Sequence, residues 1–199
     1  MTAAVILAAG EAKRADGPKI IWPVEGVPSI RRVAVAALNS TAISDVVTVT
    51  GRWEAVTREA LRGLDVRFIH NPNFAHGQSS SLAAGLSILE PCESEVIFLL
   101  ADQPFITSQI ITDLIEFHKG NPGSITFPFC QGQRRNPVVF NLERWRQRLK
   151  SLAGDQGGRG LISENPAEVN VWAADAHPLA AFLDFDTSRD YEKLTNERS

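Results

Sequence analysis

Apolar residues come in short runs and in helical stripes that alternate along the first 120 residues. Ala3–Leu7 is an unbroken apolar run and reads as a strand buried on both faces. Ile30, Val33, Ala34, Ala37 and Leu38 fall on one face of a helix. Asp45–Thr50 is a β-branched strand ended by Gly51. A weaker helical pattern over about residues 54–61 leads to a short strand, Val66–Ile69, closed by Asn71-Pro72-Asn73. Ser79–Leu89 returns to helical spacing through Leu82, Gly85, Leu86 and Leu89, and Glu95–Leu100 is a second strand with both faces apolar. Thr107 or Ser108 can cap the next helix, whose apolar face is Ile110, Ile111, Leu114 and Ile115. The alternation predicts an α/β domain of three layers, with a mostly parallel, doubly wound sheet and ligands bound beyond the carboxyl ends of its strands.

Beyond residue 120 the rhythm is less regular. Ser124–Phe129 and Pro137–Phe140 read as strands around a polar turn, Gln131–Asn136. Glu143–Leu152 reads as a helix, followed by the glycine-rich segment Gly154–Arg159. A further short helix and strand lead to Phe182–Phe185 and a last helix beginning near Thr187. No repeat or long linker divides the 199 residues, so residues 1–199 are expected to form one domain.

Composition narrows the classes of function. A net charge of −3 provides no basic field for a nucleic-acid backbone. No apolar stretch is long enough to span a membrane and no secretory leader precedes the first strand, which leads to an expectation of a soluble cytoplasmic protein. Cys92 and Cys130 lack metal-site or redox spacing and read as reduced, incidental thiols. His70, His76, His118 and His177 also lack metal spacing, and the four tryptophans read as packing residues.

Chemistry concentrates in a few segments. In Leu7-Ala8-Ala9-Gly10 the strand ends in small residues that let a ligand approach the backbone, and Gly10 can take a positive φ at little cost. Arg14 and Lys19 follow as a planar fork and a mobile point charge, suited to a polyphosphate. Asp102, directly after the strand Glu95–Leu100, is placed either to hold a hard cation such as Mg²⁺ or to shape a turn before Pro104. Asp186, just upstream of the last helix, is open to the same pair of readings, metal ligand or helix cap. Gly77, Ser80 and Ser81 open a helix where N–H groups and hydroxyls can meet a nucleoside, or where serines simply cap.

These segments together resemble the MobA-like nucleotidyltransferases. Residues 7–19 are similar to that family's Leu-Ala-(Ala/Gly)-Gly-x-(Ser/Ala)-x-Arg-Met-Gly-x-x-Lys, with Ala15 for methionine and Asp16 for glycine. Leu100-Ala101-Asp102-Gln103-Pro104 matches the family's metal-binding segment without a substitution. Residues 77–86 follow its Gly-x-x-x-Ser-Leu-x-x-Gly-(Leu/Ile), with Asn71 at the usual distance upstream. Gly132–Val138 follows its Gly-x-x-Gly-(Asn/His)-Pro-Val, except that Arg135 replaces a glycine. Gly154–Arg159 and Phe185–Tyr191 are similar to two further motifs.

The resemblance implies a Rossmann-like nucleotidyltransferase fold. Ala9 is similar to the residue found in the molybdenum cofactor cytidylyltransferases, whereas the guanylyltransferases usually carry glycine there. The implied reaction is Mg²⁺-dependent transfer of CMP from CTP to a molybdopterin-type cofactor, with release of pyrophosphate. The implied catalytic residues are Arg14, Lys19 and Asp102, with Asp102 and Asp186 on the metal. Leu7, Ala8, Ala9, Gly10, Arg14, Lys19, Asn71, Gly77, Ser80 and Ser81 would meet the nucleotide. Asn136, Asp155 and Arg159 would meet the acceptor, and a recipient molybdenum enzyme or its chaperone would be a partner. Two other readings stay open. One is a related transferase using GTP or another phosphorylated acceptor. The other is a nucleotide- or pterin-binding carrier that has lost catalysis, consistent with Ala15, Asp16 and Arg135.

Overall fold

Successive residues of the first strand point to opposite sides of one sheet, and both sides are apolar. Ala4, Ile6 and Ala8 enter one core, while Ala3 and Val5 enter the other. The strand Glu95–Leu100 divides in the same way, with Ile97 and Leu99 on one side and Val96 and Phe98 on the other. This is the physical basis of their unbroken hydrophobic runs.

The computed structural model describes residues 1–11, 17–121, 123–154 and 157–196. Arg14 and Asp155, with Ala15 and Asp16, lie outside the described residues. The elements in chain order begin with β1 (Thr2–Ala8), β2 (Pro23–Val24), β3 (Val27–Pro28), α1 (Ser29–Leu38), β4 (Asp45–Thr50), α2 (Glu54–Ala60) and β5 (Arg67–His70). They continue with α3 (Gln78–Ser87), β6 (Glu95–Leu100), α4 (Ser108–Lys119), β7 (Ile125–Cys130), β8 (Gln133–Arg134) and β9 (Val138–Asn141). The last are α5 (Leu142–Lys150), α6 (Arg159–Glu164), β10 (Val169–Ala173) and α7 (Ser188–Asn196).

The main sheet runs β10-β7-β9-β6-β1-β4-β5, with β8 paired to β7 outside this path. β1 is parallel to both β4 and β6, with Val5 opposite Val47 on one side and Phe98 on the other. β9 alone in this path runs against its neighbours, pairing antiparallel with both β6 and β7. The expected mostly parallel, doubly wound α/β sheet is therefore present, with one reversed strand inserted by the β7–β8–β9 hairpin. Chain order reverses at β1, since the chain goes first to β4 and later returns to β6. That divergence opens a crevice at the carboxyl ends of β1 and β6.

Helices α1 and α4 supply Ile30, Val33, Ile111 and Leu114 to one core. Helices α3, α5 and α6 supply Leu82, Leu86, Trp145 and Leu161 to the other. Helix α3 lies so close to the sheet that a Cβ at Gly85 would come 2.5 Å from Val5 Cγ1. Thr107 caps α4 by accepting a hydrogen bond from the Ile110 N–H at 3.2 Å. A third cluster ties the chain's end to its beginning. Phe185 stacks on Trp22 with ring centroids 5.8 Å apart, and Tyr191 meets Trp22 edge-on at 5.3 Å. Among the described residues no helix is long and apolar enough to cross a membrane. Cys92 is exposed, Cys130 is buried, and both are free thiols.

Candidate active site

The crevice at the sheet's carboxyl edge is a cleft of about 920 Å³. Leu7, Ala9, Gly10, Lys19, Gly77, Ser81, Asp102, Asn136, Arg159 and Asp186 all line it. Ala8 faces an adjoining pocket of about 70 Å³ that shares Leu7, Gly10, Lys19 and Asp102 with the main cleft.

Lys19 joins distant parts of the chain. It opens a single 3-10 turn, and its Nζ lies 2.7 Å from Asp102 Oδ2 and 2.7 Å from Asp186 Oδ1. It also donates to the Phe185 carbonyl at 2.8 Å. Asp102 is held by the turn it occupies. The buried Ser29 hydroxyl donates to the Ala101 carbonyl at 2.8 Å, and the buried Gln103 amide donates to the Phe182 carbonyl at 2.9 Å. The two hydrogen bonds fix the backbone on either side of the carboxylate.

Asp186 is carried in by the packing of its neighbour Phe185, which is fully buried against Trp22. The Asp186 Oδ1 is directed to Lys19 in the cleft. Thr187 and Asp190 cap α7 reciprocally, the Thr187 hydroxyl donating to Asp190 Oδ2 at 2.7 Å and the Asp190 N–H donating back at 3.2 Å. These hydrogen bonds, Thr187's foremost, hold the Asp190 carboxyl below its ordinary value.

Burial opposes the charge on both inner members of this cluster, with different outcomes. For Lys19 it opposes the charge, but the carboxylates of Asp102 and Asp186 outweigh it and the ammonium is held above its ordinary value. For Asp102 burial dominates. The carboxyl is pushed up despite Lys19, with Asp184 adding repulsion. The difference is one of partners, since Lys19 has two carboxylates and Asp102 has a share in one ammonium.

The nucleotide-side loop is tied together internally. Asn71 is buried, and its amide donates to the Ser80 hydroxyl at 2.9 Å and the Ser81 hydroxyl at 3.1 Å. Ser80 in turn donates to the carbonyls of Asn73 and Gly77. Asn71 and Ser80 thus shape the loop and do not line the cleft, whereas Gly77 and Ser81 do both. Gly77 uses a positive φ of 98° to enter α3. Gly10 does not use one. The positive φ in this region belongs to Gly17, at 116°. What Gly10 provides is open space, because a Cβ there would meet nothing within 4 Å.

Gln78 and Arg134 also line the cleft and were not among the site residues expected from sequence; Arg135, the departure from the resembled motif, and Asp184, just upstream of Asp186, line it as well. Gln78 and Arg134 stand at variable positions inside recognisable motifs, so only their neighbours could have pointed to them. Arg135 Nε is shielded from solvent and has no hydrogen-bond acceptor. Leaving such a donor unsatisfied costs about 1–3 kcal/mol.

The donor set suits Mg²⁺. Asp102 and Asp186 offer hard oxygen ligands, and among the described residues no group of three His, Cys, Asp or Glu side chains forms a protein-only cage. Two carboxylates supplemented by water and substrate phosphates are the ligands that Mg²⁺ prefers.

Such a cleft, at the switch point of a sheet of this order, is that of a nucleotidyltransferase-type α/β fold. Residues 4–169 match the model of the MobA-like NTP transferase domain, and the chain belongs to that family. Among curated relatives, the bifunctional protein GlmU of Syntrophomonas wolfei is 31% identical over 125 residues, covering 62% of this chain and 27% of the relative. GlmU of Coxiella burnetii is 34% identical over 121 residues, 56% of this chain and 24% of the relative. The chain thus spans about a quarter of the length of these curated relatives.

Solved structures match along nearly the whole chain. Rv0371c from Mycobacterium tuberculosis superposes with a TM-score of 0.85 at 21% identity, covering 98% of this chain and 97% of that one. A second structure of Rv0371c is a complex with manganese. A nucleotidyl transferase from Methanothermobacter thermautotroptrophicus gives 0.84 at 20% identity, covering 99% and 97%. A CMP:2-keto-3-deoxy-manno-octonic acid synthetase complexed with CTP gives 0.74 at 15% identity, covering 99% and 98%. At these identities the likeness is one of fold.

Proposed function

We propose that the cleft transfers CMP from CTP to the phosphate of a molybdopterin-type cofactor, with Mg²⁺ on Asp102 and Asp186 and with release of pyrophosphate. The observation that carries this reading is the convergence of Lys19, Asp102 and Asp186 within 2.7 Å contacts at the mouth of β1 and β6. When bound, Mg²⁺ supplies neutralisation of phosphate charge and orientation of phosphate oxygens.

The chain's own residues do the rest by positioning and charge. Lys19 keeps a full positive charge at the cleft floor, where charge accumulates on the leaving pyrophosphate. Ala9 and Gly10 leave the backbone open to close approach of the triphosphate, and Arg14 belongs to the same loop in sequence. Gly77 and Ser81 face the nucleoside, while Asn71 and Ser80 hold their loop in shape. Asn136, Arg159 and, in sequence, Asp155 are the acceptor-side groups. An acceptor phosphate is already ionised at neutral pH, so no general base is needed for its attack.

Cytidine as the base is supported by Ala9 and by the CTP complex of a protein of the same fold. Mg²⁺ as the ion is supported by the two hard carboxylates, and a divalent ion in general by the manganese complex of Rv0371c. A second reading keeps the transfer and changes the acceptor. Arg135, standing where the resembled motif has glycine, favours it.

The deciding experiment is pyrophosphate release from CTP and, separately, from GTP, with Mg²⁺ and molybdopterin-type cofactor. Release that needs CTP and the pterin is expected. Release with CTP and another phosphorylated acceptor, but not the pterin, replaces the acceptor. Absence of release from folded protein with any pair overturns the transfer.

A further inference from the structure

Three arginines gather at the part of the cleft formed by the β8–β9 turn and the start of α6. Arg134 and Arg135 come from the turn, Arg159 from the first residue of α6, and all three line the cleft. The register of the hairpin sets this placement. Arg134 pairs with Phe129 in β7, and Val138 pairs with Phe98 in β6, so residues 134–137 cross over the carboxyl end of β6. Arg134 also lies over the Phe127 ring, 5.8 Å from its centroid.

Among the described residues none of the three is in an ion pair, whereas Lys19, Arg32 and Arg144 each are. Among the same residues Arg135 Nε, shielded from water, has no acceptor. Burial and the positive charge of Arg159 hold the Arg134 guanidinium below its ordinary value. Like charges gathered without a counter-charge among the described residues are arranged for a ligand that brings one. The guanidinium fork fits phosphate and carboxylate oxygens two at a time.

We propose that Arg134, Arg135 and Arg159 form an oxyanion clamp for a second anionic group of the acceptor, distinct from the phosphate that undergoes transfer. The transferred phosphate belongs beside Lys19, Asp102 and Asp186, where the ammonium already faces two carboxylates. The arginines hold the acceptor's other end. The acceptor class is therefore a small phosphorylated molecule with a further phosphate or carboxylate, which is the second reading above, in which the acceptor is not the single-phosphate pterin. Calling this ligand an acceptor rests on the transfer reading above, while the anion site itself rests on the arginines.

The test is isothermal titration of the full chain, without nucleotide or metal, using inorganic phosphate and malonate as probes. Binding of at least one probe is expected, weakened roughly tenfold or more in Arg135→Gly, as expected for loss of a charge-assisted pair. Arg148→Gln, an arginine outside the cleft paired with Glu164, should change it less than about twofold. Arg134→Gln is read in the same way should the glycine variant melt early. Tighter phosphate names a phosphorylated far end, and tighter malonate a carboxylate one. Binding that is unaltered in Arg135→Gly and Arg134→Gln overturns the clamp, as does binding lost in Lys19→Met alone, which would put the anion at the triphosphate loop. Neither probe binding the wild-type chain overturns it as well. Turnover plays no part in this readout, so a failed transfer assay beside arginine-dependent binding removes the transfer reading and leaves the clamp.

Discussion

Lys19 Nζ lies 2.7 Å from Asp102 Oδ2, and both side chains are only about 15% exposed. The pair joins a loop that follows β1 to the turn that follows β6, across the point where chain order reverses. With Asp186 on the same ammonium, one side chain gathers the charges that the first, middle and last parts of the chain bring to the cleft. In the proposed reaction this brings the metal-holding and phosphate-neutralising groups to one point, as electrostatic catalysis of nucleotidyl transfer requires.

Removing either member separates catalysis from folding. Asp102→Asn keeps the shape of the turn, which Ser29 and Gln103 hold independently, and deletes a carboxylate. Turnover is expected to fall by ~10²-fold or more with little loss of stability, and the requirement for divalent ion to rise. Lys19→Met is expected to lower turnover by ~10²–10³-fold, with its main effect on kcat. Steady-state pyrophosphate release across a Mg²⁺ titration, beside thermal melts, checks both. Full turnover in Asp102→Asn would remove Asp102 from the mechanism.

Phe185 positions Asp186 without facing the cleft. It is fully buried, stacked on Trp22 and met edge-on by Tyr191 at 5.5 Å. Phe185→Ala should cost about 3–5 kcal/mol and loosen the segment that carries Asp186. The milder Trp22→Leu keeps an apolar side chain at the partly exposed edge of the cluster and removes the stacking. It is expected to raise the Mg²⁺ concentration needed for half-maximal rate severalfold while leaving the KM for CTP nearly unchanged. Equal change in both constants would mean that the aromatic cluster supports the whole cleft and not Asp186 in particular.

Gly85 is required by close approach. It lies in helix α3, and an added Cβ would meet Val5 Cγ1 at 2.5 Å and Val49 Cγ2 at 3.1 Å, both in fully buried side chains. Gly85→Ala is expected to destabilise by about 1–3 kcal/mol through overpacking, despite alanine's better helix propensity. Val5→Ala in the same chain makes room, so the double variant should recover part of that loss. Urea denaturation of the four proteins of the cycle measures the coupling, and simple additivity would exclude the clash.

Local patterns carried much of the fold. β1 and β6 were legible because both of their faces are buried, and α4 because Ile110, Ile111, Leu114 and Ile115 keep helical spacing. The direction of β9 was not legible. Pro137–Phe140 reads as a strand, but the antiparallel insertion of β9 between β6 and β7 is set by tertiary pairing with Phe98 and Ile125. At the site, short motifs marked Lys19, Asp102 and Asp186 one by one. The resemblance implied that the two aspartates meet at one metal, but the direct contact of Lys19 with both was not legible, because Asp186 beside Thr187 looks locally like a cap and the burial of Phe185 carries it toward Lys19. At Gly10 the sequence offered two uses, close approach of a ligand and a positive φ, and the backbone adopts no positive φ there while leaving open space where a side chain would stand.

His118, with no metal spacing in sequence, is a buried residue at the end of α4, with Nδ1 2.7 Å from the Thr126 hydroxyl. Burial is the largest influence on it and lowers its pKa below the ordinary 6.5, assisted by Lys119 and opposed by Glu95. The unfolded chain therefore binds a proton near pH 6.5 that the folded chain refuses. The contribution of the neutral ring is complete above that pH and is lost as pH falls through the folded value. In this window stability should decline by up to about 1.4 kcal/mol per pH unit from this one group. His118→Gln retains a polar partner for Thr126 and removes the titration. Urea midpoints measured from pH 7.5 down to 5 should fall less steeply in the variant than in the wild type. Parallel slopes would show that His118 takes up its proton equally well in the folded and unfolded chains.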